Sequence, residues 1–342
     1  MIGSIALGQT GVHLSRLGYG AAPLGGVGGV DAPSVSGAAL ERALEAGIAY
    51  FDTAPAYGLG RSELRVGNVL RERKRDSFSL STKVGRVLDA LPPPQASGEE
   101  SLRKLNFRAE FDYSRDGIMR SVEQSMLRLG IVSFDILLIH DLDEKMHPDP
   151  EIRGAHRRDL LDRGGYEALQ ELRRTGVCKA IGAGLNRKAS AIELIGETDL
   201  DVVLLAEPYN LLDQNGLEDF FPLCTRRGVP VILGGIYASG ILVRGVAIGT
   251  YSYRPPPPAV VEKVRLLESV AGRHSIRLGD AAMQFALAHP SVISVIPGMR
   301  SPQEVDANVG SYHARIPSAF WLELLEMRLV HADSPLPEAD AR

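Results

Sequence analysis

Cysteine is scarce in this sequence: the chain has two, Cys178 and Cys224, among 342 residues. Two cysteines so far apart in the chain provide neither a disulfide framework nor the short ligand spacing of a metal site. We therefore expect a protein of a reducing compartment, without a metal centre. Apolar residues make up 44% of the chain, enough for an ordinary globular core.

Long apolar runs and strong charge are also missing. No stretch of about 18 apolar residues occurs, and no basic segment followed by an apolar one stands at the N-terminus. The net charge of −4 gives no basic surface for nucleic acid, and the basic run at 71–75 is typical of the solvated end of a helix. These absences predict a cytoplasmic protein whose partner is a small-molecule substrate and not nucleic acid or a membrane. They do not predict its oligomeric state.

Three common catalytic motifs are absent as well. The sequence contains no G-x-S-x-G, no H-E-x-x-H and no G-x-x-x-x-G-K-[ST]. This argues against a serine hydrolase of the nucleophile-elbow type, a zinc metalloprotease and a P-loop nucleoside triphosphatase.

Short β-rich runs alternate with amphipathic helical patterns, which is typical of a parallel sheet built from strand-helix units. Length alone allows two domains, but a single barrel commonly exceeds about 250 residues. The alternation predicts one α/β domain over 1–342, a closed (β/α)₈ TIM barrel with an N-terminal β-hairpin at about 8–14 and a C-terminal helical segment. The predicted strands cover 16–19, 48–52, 78–83, 135–140, 177–182, 201–206, 229–233 and 292–296, and helical patterns cover 36–46, 117–129 and 165–175.

Two segments interrupt this regularity. Residues 88–112, rich in turn formers and charge, follow the third predicted strand on the side where barrel enzymes build their active sites. We expect an active-site loop insertion there that acts as a lid, with disorder as the alternative. The second segment, "YRPPPP" at 253–258, is expected to be a spacer before a helix, with a polyproline ligand as the alternative.

Polar residues end three neighbouring strands: Asp52 the second, Lys83 the third and His140 the fourth, while Tyr57 follows in the loop after the second. Such groups converge on one rim of a barrel. One interpretation is a structural Asp52–Lys83 ion pair beside a core histidine. The other is a proton-transfer site, in which a cation about 4 Å away favours the Tyr57 phenolate by ~4 kcal/mol. Asp52 would hold that cation charged and His140 would polarise the substrate oxygen.

These four residues match, in type, order and strand placement, the catalytic Asp, Tyr, Lys and His of the aldo-keto reductase superfamily. The likeness extends from "LGQTGVHLSRLGYGA" through "GRSELRVG" to "VIPGMRSPQEVDAN", nearly the whole chain. It implies a (β/α)₈ barrel that binds a nicotinamide cofactor without a Rossmann domain. The glycine-rich "GYGAAPLGG" is then the loop after the first strand, with Gly20 and Ala21 beside the nicotinamide.

The resemblance also implies the other cofactor contacts. Asn186 would hold the carboxamide, Gly235 and Ser239 the pyrophosphate, and Gln303 and Asn308 the adenine.

Cofactor choice depends on the segment after the eighth strand. Where members that bind NADP carry basic residues, this sequence has Gly298 and Glu304. A carboxylate repels a 2′-phosphate and accepts a hydrogen bond from a free 2′-hydroxyl, so NAD is expected over NADP. The long guanidinium of Arg300 keeps NADP as an alternative.

The segments "FDYSRDGIMRSVEQSMLRLG", "AIGAGLN", "LLDQ" and "GGIYASGIL" look most like the bacterial branch of L-fucose and D-threo-aldose 1-dehydrogenases, with pyridoxal 4-dehydrogenase as a relative. The implied function is NAD-dependent oxidation of an aldose of the L-fucose, L-galactose or D-arabinose type at C1 to its lactone. The alternatives are a pyridoxal 4-dehydrogenase, an NADPH-dependent aldehyde reductase and a non-catalytic binding subunit. Substrate contacts are expected from 88–112 and from the C-terminal segment around Trp321.

Overall fold

The computed structural model describes residues 1–26, 29, 31–92, 105–206 and 209–337. The chain begins with an antiparallel hairpin of β1 (Ser4–Ala6) and β2 (His13–Ser15). Leu7, Val12 and Leu14 of this hairpin are buried against the apolar residues of the barrel interior. The predicted N-terminal hairpin is confirmed, and it closes the end of the barrel opposite the candidate site.

Eight parallel strands form the barrel sheet, and a separate hairpin lies between the third and fourth of them. The strands after β2 are β3 (Tyr19–Gly20), β4 (Tyr50–Asp52), β5 (Ser79–Val84), β6 (Arg86–Ala90), β7 (Phe107–Phe111), β8 (Phe134–His140), β9 (Cys178–Leu185), β10 (Val202–Leu205), β11 (Val231–Leu233) and β12 (Val292–Val295). The barrel order is β3, β4, β5, β8, β9, β10, β11 and β12. Parallel bridges from Leu17 to Val295 and from Gly20 to Gly298 join its two ends. The (β/α)₈ barrel is confirmed. All eight predicted strands have an observed counterpart, although the first, predicted at 16–19, shares only Tyr19 with β3.

Helices of the described residues cover the outside of the barrel. They are α1 (Pro33–Glu45), α2 (Arg61–Leu70), α3 (Arg115–Leu129), α4 (Pro150–Leu161), α5 (Gly165–Arg174), α6 (Lys188–Glu197), α7 (Phe220–Arg227), α8 (Ile241–Arg244), α9 (Pro258–Arg273), α10 (Leu278–Ala288), α11 (Pro302–His313) and α12 (Ser318–Glu326). The three predicted helices correspond to α1, α3 and α5, and α12 confirms the C-terminal helical segment. None of the described helices is long and apolar enough to cross a bilayer.

The period-two alternation of the strands separates two apolar cores. In β8, Ile136 and Leu138 point into the barrel interior, whereas Leu137 and Ile139 pack in the larger core beneath the helices. This explains why the β8 sequence "FDILLIH" is an almost uninterrupted apolar run, since both of its faces are covered.

Cys178 and Cys224 are both free and buried.

The two ends of the insertion predicted at 88–112 form regular secondary structure and not a loop. Its flanks form the antiparallel hairpin of β6 and β7, with Leu88 opposite Ala109. The backbone of Leu88 exchanges two hydrogen bonds with the Gln124 side chain on α3, which fixes the hairpin against the barrel. The central part, 93–104, lies outside the described residues, and the role of the segment as an active-site lid stays a prediction.

Other expectations for loops hold. Prolines 255–257 lead directly into α9, which begins at Pro258, so 253–258 is a spacer before a helix. The basic run at 71–75 follows the end of α2, and its first four residues are exposed.

Candidate active site

Asp52 and Lys83 form a buried ion pair at the carboxyl end of the barrel interior. Asp52 is the last residue of β4 and points to the same inward face as Tyr50. On the adjacent strand β5, Ser81 pairs with Asp52, and Lys83, two positions further along, points to the same face. The Lys83 Nζ is 2.6 Å from Asp52 Oδ2 and 2.9 Å from the carbonyl oxygen of Thr53. The hydroxyl of Ser81 donates to the other carboxylate oxygen of Asp52 at 2.7 Å.

Burial acts on the two members of this pair in opposite senses. It raises the pKa of Asp52, which Lys83 and the Ser81 hydroxyl oppose. It would lower the pKa of Lys83, but contact with Asp52 and Tyr57 more than offsets burial, so the pKa of Lys83 lies above its ordinary value. Lys83 is therefore a fixed cation whose charge is largely balanced by the carboxylate beside it.

Tyr57 lies above Lys83, with the Nζ 4.5 Å from the centre of the phenol ring. A close backbone crossing holds its loop: Gly58 has a φ of +66°, and a Cβ there would lie 2.1 Å from the carbonyl oxygen of Gly25. Only glycine fits at this crossing.

The expectation of a ready phenolate at Tyr57 is wrong for the protein without ligands. Burial raises the pKa of Tyr57 to about 12, while Lys83 lowers it and Asp52 raises it again. Asp52 was expected only to keep Lys83 charged, whereas its carboxylate, 2.6 Å from the Nζ, also offsets much of that charge at Tyr57. Tyr57 is thus a neutral phenol at rest, suited to donate a proton as well as to accept one.

His140 completes the group as the last residue of β8, on the same inward face as Leu138. Its ring meets that of Tyr57 edge-on, with 5.9 Å between the ring centres. The Tyr113 hydroxyl donates to its carbonyl oxygen at 2.6 Å. Burial, together with the cations Lys83 and Arg86, holds the pKa of His140 well below its usual range, so the imidazole is neutral at pH 7.

A cleft of about 1120 Å³ runs outward from Asp52 and Tyr57 across the carboxyl ends of the strands. This exceeds the roughly 300–1000 Å³ of a drug-sized site and suits an extended ligand beside a small substrate. Its far wall contains the left-handed residues Ala238 (φ 47°) and Ser239 (φ 59°), a strained backbone of the kind found at ligand sites. Eight of the predicted cofactor residues line the cleft: Gly20, Asn186, Gly235, Ser239, Gly298, Arg300, Glu304 and Asn308.

The other two predicted cofactor residues are placed elsewhere. Ala21 is fully buried, and its backbone amide donates to the backbone carbonyl oxygen of Asp52. Its neighbour Ala22 lines the cleft instead. Gln303 is exposed on the first turn of α11 and does not line the cleft. Asn308 lines it, but its amide is engaged within the protein, accepting from the Tyr237 hydroxyl and donating to the Glu304 carbonyl.

Asn186 is held in one orientation by two carboxylates. Its side-chain nitrogen donates to Asp141 Oδ1 at 2.9 Å and to Asp143 Oδ2 at 3.0 Å. Both N–H groups of the amide are therefore used. Oδ1 accepts from Lys145 Nζ at 3.4 Å, and its second lone pair remains for a ligand. That atom fits the amino group of a nicotinamide carboxamide.

Arg300 is engaged by acidic neighbours at the opposite end of the cleft. Its Nε is 3.3 Å from Glu304 Oε1 and 3.9 Å from Asp31 Oδ2, and its backbone amide donates to Glu304 Oε2 at 2.9 Å. Glu304 thus holds Arg300, the residue that kept NADP as an alternative cofactor. The first turn of α11 is capped by Ser301, whose hydroxyl accepts from the Glu304 amide.

Trp321 does not contact the cleft. It lies on the buried face of α12, and its ring centre is 4.8 Å from that of Phe320 and 6.3 Å from that of Phe285. Substrate contacts from this side chain are therefore not supported, because it packs in the outer core.

Several polar residues around His140 were missed from the sequence, namely Arg86, Tyr113, Asp141 and Asp143. Their positions carried a signal, since "STKVGR" and "IHDLD" place charged residues just after Lys83 and His140. The spacing did not show that Arg86 turns towards Asp141, which requires the pairing of neighbouring strands.

Comparison with known proteins identifies the family. The model of the aldo/keto reductase family matches residues 16–327. The chain belongs to this family. Pyridoxal 4-dehydrogenase of Microbacterium luteolum is 39% identical over 95% of this chain and 97% of its own length. D-threo-aldose 1-dehydrogenase of a Pseudomonas species is 33% identical over the same shares.

A solved structure supports the same assignment. The holo form of aldo-keto reductase AKR11C1 from Bacillus halodurans superposes with a TM-score of 0.73 at 26% identity, covering 97% of each chain. This protein is therefore an oxidoreductase of the family whose members use a nicotinamide cofactor.

Proposed function

We propose that this protein oxidises the hemiacetal carbon of an aldose to a lactone, using NAD. The quartet of Asp52, Tyr57, Lys83 and His140 at the inner end of the cleft carries this proposal. The similarity to D-threo-aldose 1-dehydrogenase supports the substrate class.

Each residue of the quartet has a defined task in this reaction. The anomeric hydroxyl lies between Tyr57 and His140, where His140 donates a hydrogen bond to its oxygen. The Tyr57 oxygen, once ionised, takes the hydroxyl proton, and Lys83 stabilises the phenolate during the transfer. Asp52 keeps Lys83 charged. An oxidised nicotinamide, when bound, supplies the acceptor for the hydride that leaves C1.

The cleft can hold such a cofactor with residues of this chain. Asn186 Oδ1 would accept from the carboxamide, the wall at 234–240 would contact the pyrophosphate, and Glu304 would accept from the 2′-hydroxyl of the adenosine ribose. The cation near Gly298 that could meet a 2′-phosphate is Arg300, and Glu304 already engages it.

Pyridoxal is the second candidate substrate. The relative with the higher identity of the two described above is a pyridoxal 4-dehydrogenase. Pyridoxal carries an aldehyde next to a hydroxymethyl group and closes to a cyclic hemiacetal, so its oxidation to a lactone needs the same quartet. The two substrates differ in shape and not in the reacting group.

The direct test is to measure reduction of NAD and of NADP with L-fucose, L-galactose, D-arabinose and pyridoxal at mildly alkaline pH. Turnover of a sugar with NAD, and a lactone identified by mass spectrometry, would support the proposal. Turnover of pyridoxal alone would select the second candidate. Reduction of aldehydes with NADPH and no oxidation with NAD would indicate an aldehyde reductase, and no turnover in either direction would indicate a binding subunit.

The pH dependence follows from the state of Tyr57. Its pKa of about 12 means that the phenol is protonated at neutral pH, and the phenolate fraction rises about tenfold per pH unit below that value. We expect kcat/KM for oxidation to rise with pH from 6 to 10, whereas aldehyde reduction, which uses the neutral phenol, stays nearly level. Steady-state rates in both directions at constant ionic strength would check this. A plateau in oxidation already at pH 7 would contradict it.

Cofactor preference should depend on the charge of Glu304. We expect Glu304→Gln to raise kcat/KM with NADP relative to NAD on the order of tenfold, because it removes a repulsion of ~1.4 kcal/mol and the carboxylate that holds Arg300. Glutamine keeps an oxygen that can accept from the Arg300 amide. Asp306→Asn is the matched control, since Asp306 is on the same helix but pairs with exposed Arg42 outside the cleft. An equal effect of both substitutions would refute a local role for Glu304.

A further inference from the structure

We propose that Asp141 is a positioning residue that fixes His140 as the tautomer with hydrogen on Nε2. The proposal rests on the proposed role of His140 as hydrogen-bond donor to the substrate oxygen. The contact with Asp141 explains why Nε2 of His140, and not Nδ1, carries the hydrogen.

The backbone turns Asp141 back towards the histidine that precedes it. Asp141 has a φ of +56°, in the left-handed region that few residues other than glycine adopt. Its amide donates to the Gly184 carbonyl at 2.9 Å, which anchors the turn to β9. As a result, Asp141 Oδ2 lies 3.4 Å from His140 Nε2.

Two other side chains hold the carboxylate in place. Arg86 NH2 donates to Asp141 Oδ2 at 2.5 Å, and the Asn186 side chain donates to Oδ1 at 2.9 Å. The Arg86 guanidinium also packs over the ring of Phe111, 4.2 Å from its centre. The side chains of Arg86 and Asp141 are each only 13% exposed, so little water competes for these contacts.

The surroundings of the two imidazole nitrogens decide the tautomer. A neutral imidazole has one N–H group. Nδ1 of His140 is buried and has no hydrogen-bond partner among the described residues, whereas Nε2 faces a carboxylate, which only accepts. Nδ1 lacks a partner in either tautomer, but a hydrogen on Nδ1 would in addition turn the lone pair of Nε2 towards the carboxylate, which repels it. The geometry therefore selects the Nε2–H form.

The same carboxylate aligns both partners of the reaction. At 3.4 Å from Asp141 Oδ2 the Nε2 hydrogen is only weakly engaged, so it can turn to the substrate oxygen when substrate binds. Through the amide of Asn186, the same carboxylate directs Oδ1 towards the cleft. Asp141 thereby links the groups that would orient substrate and nicotinamide.

Nitrogen-15 NMR of histidine-labelled protein tests this without requiring turnover. The His140 signals are identified by their loss in His140→Asn. We expect a protonated Nε2 and an unprotonated Nδ1 at pH 7. Asp141→Asn should give a mixture of tautomers and lower kcat at least about tenfold, part of the 10²–10⁴ that a positioned proton donor contributes. Asparagine is chosen because it tolerates the left-handed backbone.

Asp143→Asn is the matched control. Asp143 also holds Asn186, but its described contacts are with the backbone of its own loop and with Asn186, not with His140. It should leave the His140 tautomer unchanged. A wild-type protein with hydrogen on Nδ1, or an Asp141→Asn protein with unchanged tautomer and kcat, would overturn the proposal. If no substrate is found, the tautomer measurement still decides this inference separately from the proposed function.

Arg86→Met provides a second test if Asp141→Asn fails to fold. The charged or titratable groups around His140 are Lys83, Arg86, Tyr57 and Asp141. Arg86→Met removes the donor that holds Asp141 Oδ2, so we expect a mixture of His140 tautomers in the nitrogen-15 spectrum at pH 7. A spectrum that still shows only the Nε2–H form would overturn the role of Asp141.

Discussion

Tyr57→Phe should lower kcat/KM by about 10²–10⁴-fold and leave cofactor affinity nearly unchanged. The substitution removes the hydroxyl that exchanges the proton and keeps the ring above Lys83, 4.5 Å from its Nζ. Steady-state kinetics, with cofactor affinity from calorimetry, would measure the two effects separately.

The chain provides a matched control for this variant. Tyr209 is also buried, and its hydroxyl has no hydrogen-bond partner among the described residues, while its ring packs on Phe221 and Phe285. Tyr209→Phe makes the same chemical change away from the cleft and should keep full activity and stability. Full activity in Tyr57→Phe would remove Tyr57 from its proposed role, and equal losses in both variants would point to a general effect of removing a buried hydroxyl.

Lys83→Met should produce the largest loss of stability and also abolish turnover. The variant leaves Asp52, which is 1% exposed, without its cation, and breaking a buried pair in this way costs about 3–5 kcal/mol in the free energy of unfolding. Asp52 without Lys83 takes up a proton more readily in the folded state, so the variant should lose stability as pH rises from 5 to 8. Urea unfolding at several pH values would measure this.

Two further variants isolate the origin of that loss. Arg42→Met breaks the exposed Arg42–Asp306 pair and should cost at most about 1 kcal/mol. Asp52→Asn combined with Lys83→Met removes both charges and should recover part of the stability but none of the activity. Failure of the double variant to exceed Lys83→Met in stability would mean that lost packing, and not the unpaired carboxylate, explains the destabilisation.

The Asp52–Lys83 pair affects both the stability of the barrel and the pKa of Tyr57. Each member compensates the charge of the other, and either one alone would be an isolated buried charge. The same pairing weakens the influence of Lys83 on Tyr57, which explains why the phenol remains protonated at rest. In the proposed mechanism, the site thus combines a buried ion pair with a phenol that donates a proton and, at higher pH, accepts one.

The sequence by itself determined the fold and the quartet. The apolar run of β8 and the alternation of strands and helices specify a barrel, because a parallel strand covered on both faces must be apolar on both faces. Asp52, Lys83 and His140 were identifiable because a polar residue at the end of such a strand has few other reasons to be there. Their chemistry came from the family resemblance and stays a prediction.

Only the tertiary structure decided how these groups interact. Whether Lys83 acts as a free cation on Tyr57 depends on the 2.6 Å distance to Asp52, which joins two different strands. The contact of Arg86 with Asp141 likewise joins residues 55 positions apart. Sequence spacing fixes which face of a strand a side chain occupies, but pKa values and tautomers depend on distances of a few ångströms across the barrel, and packing alone sets those.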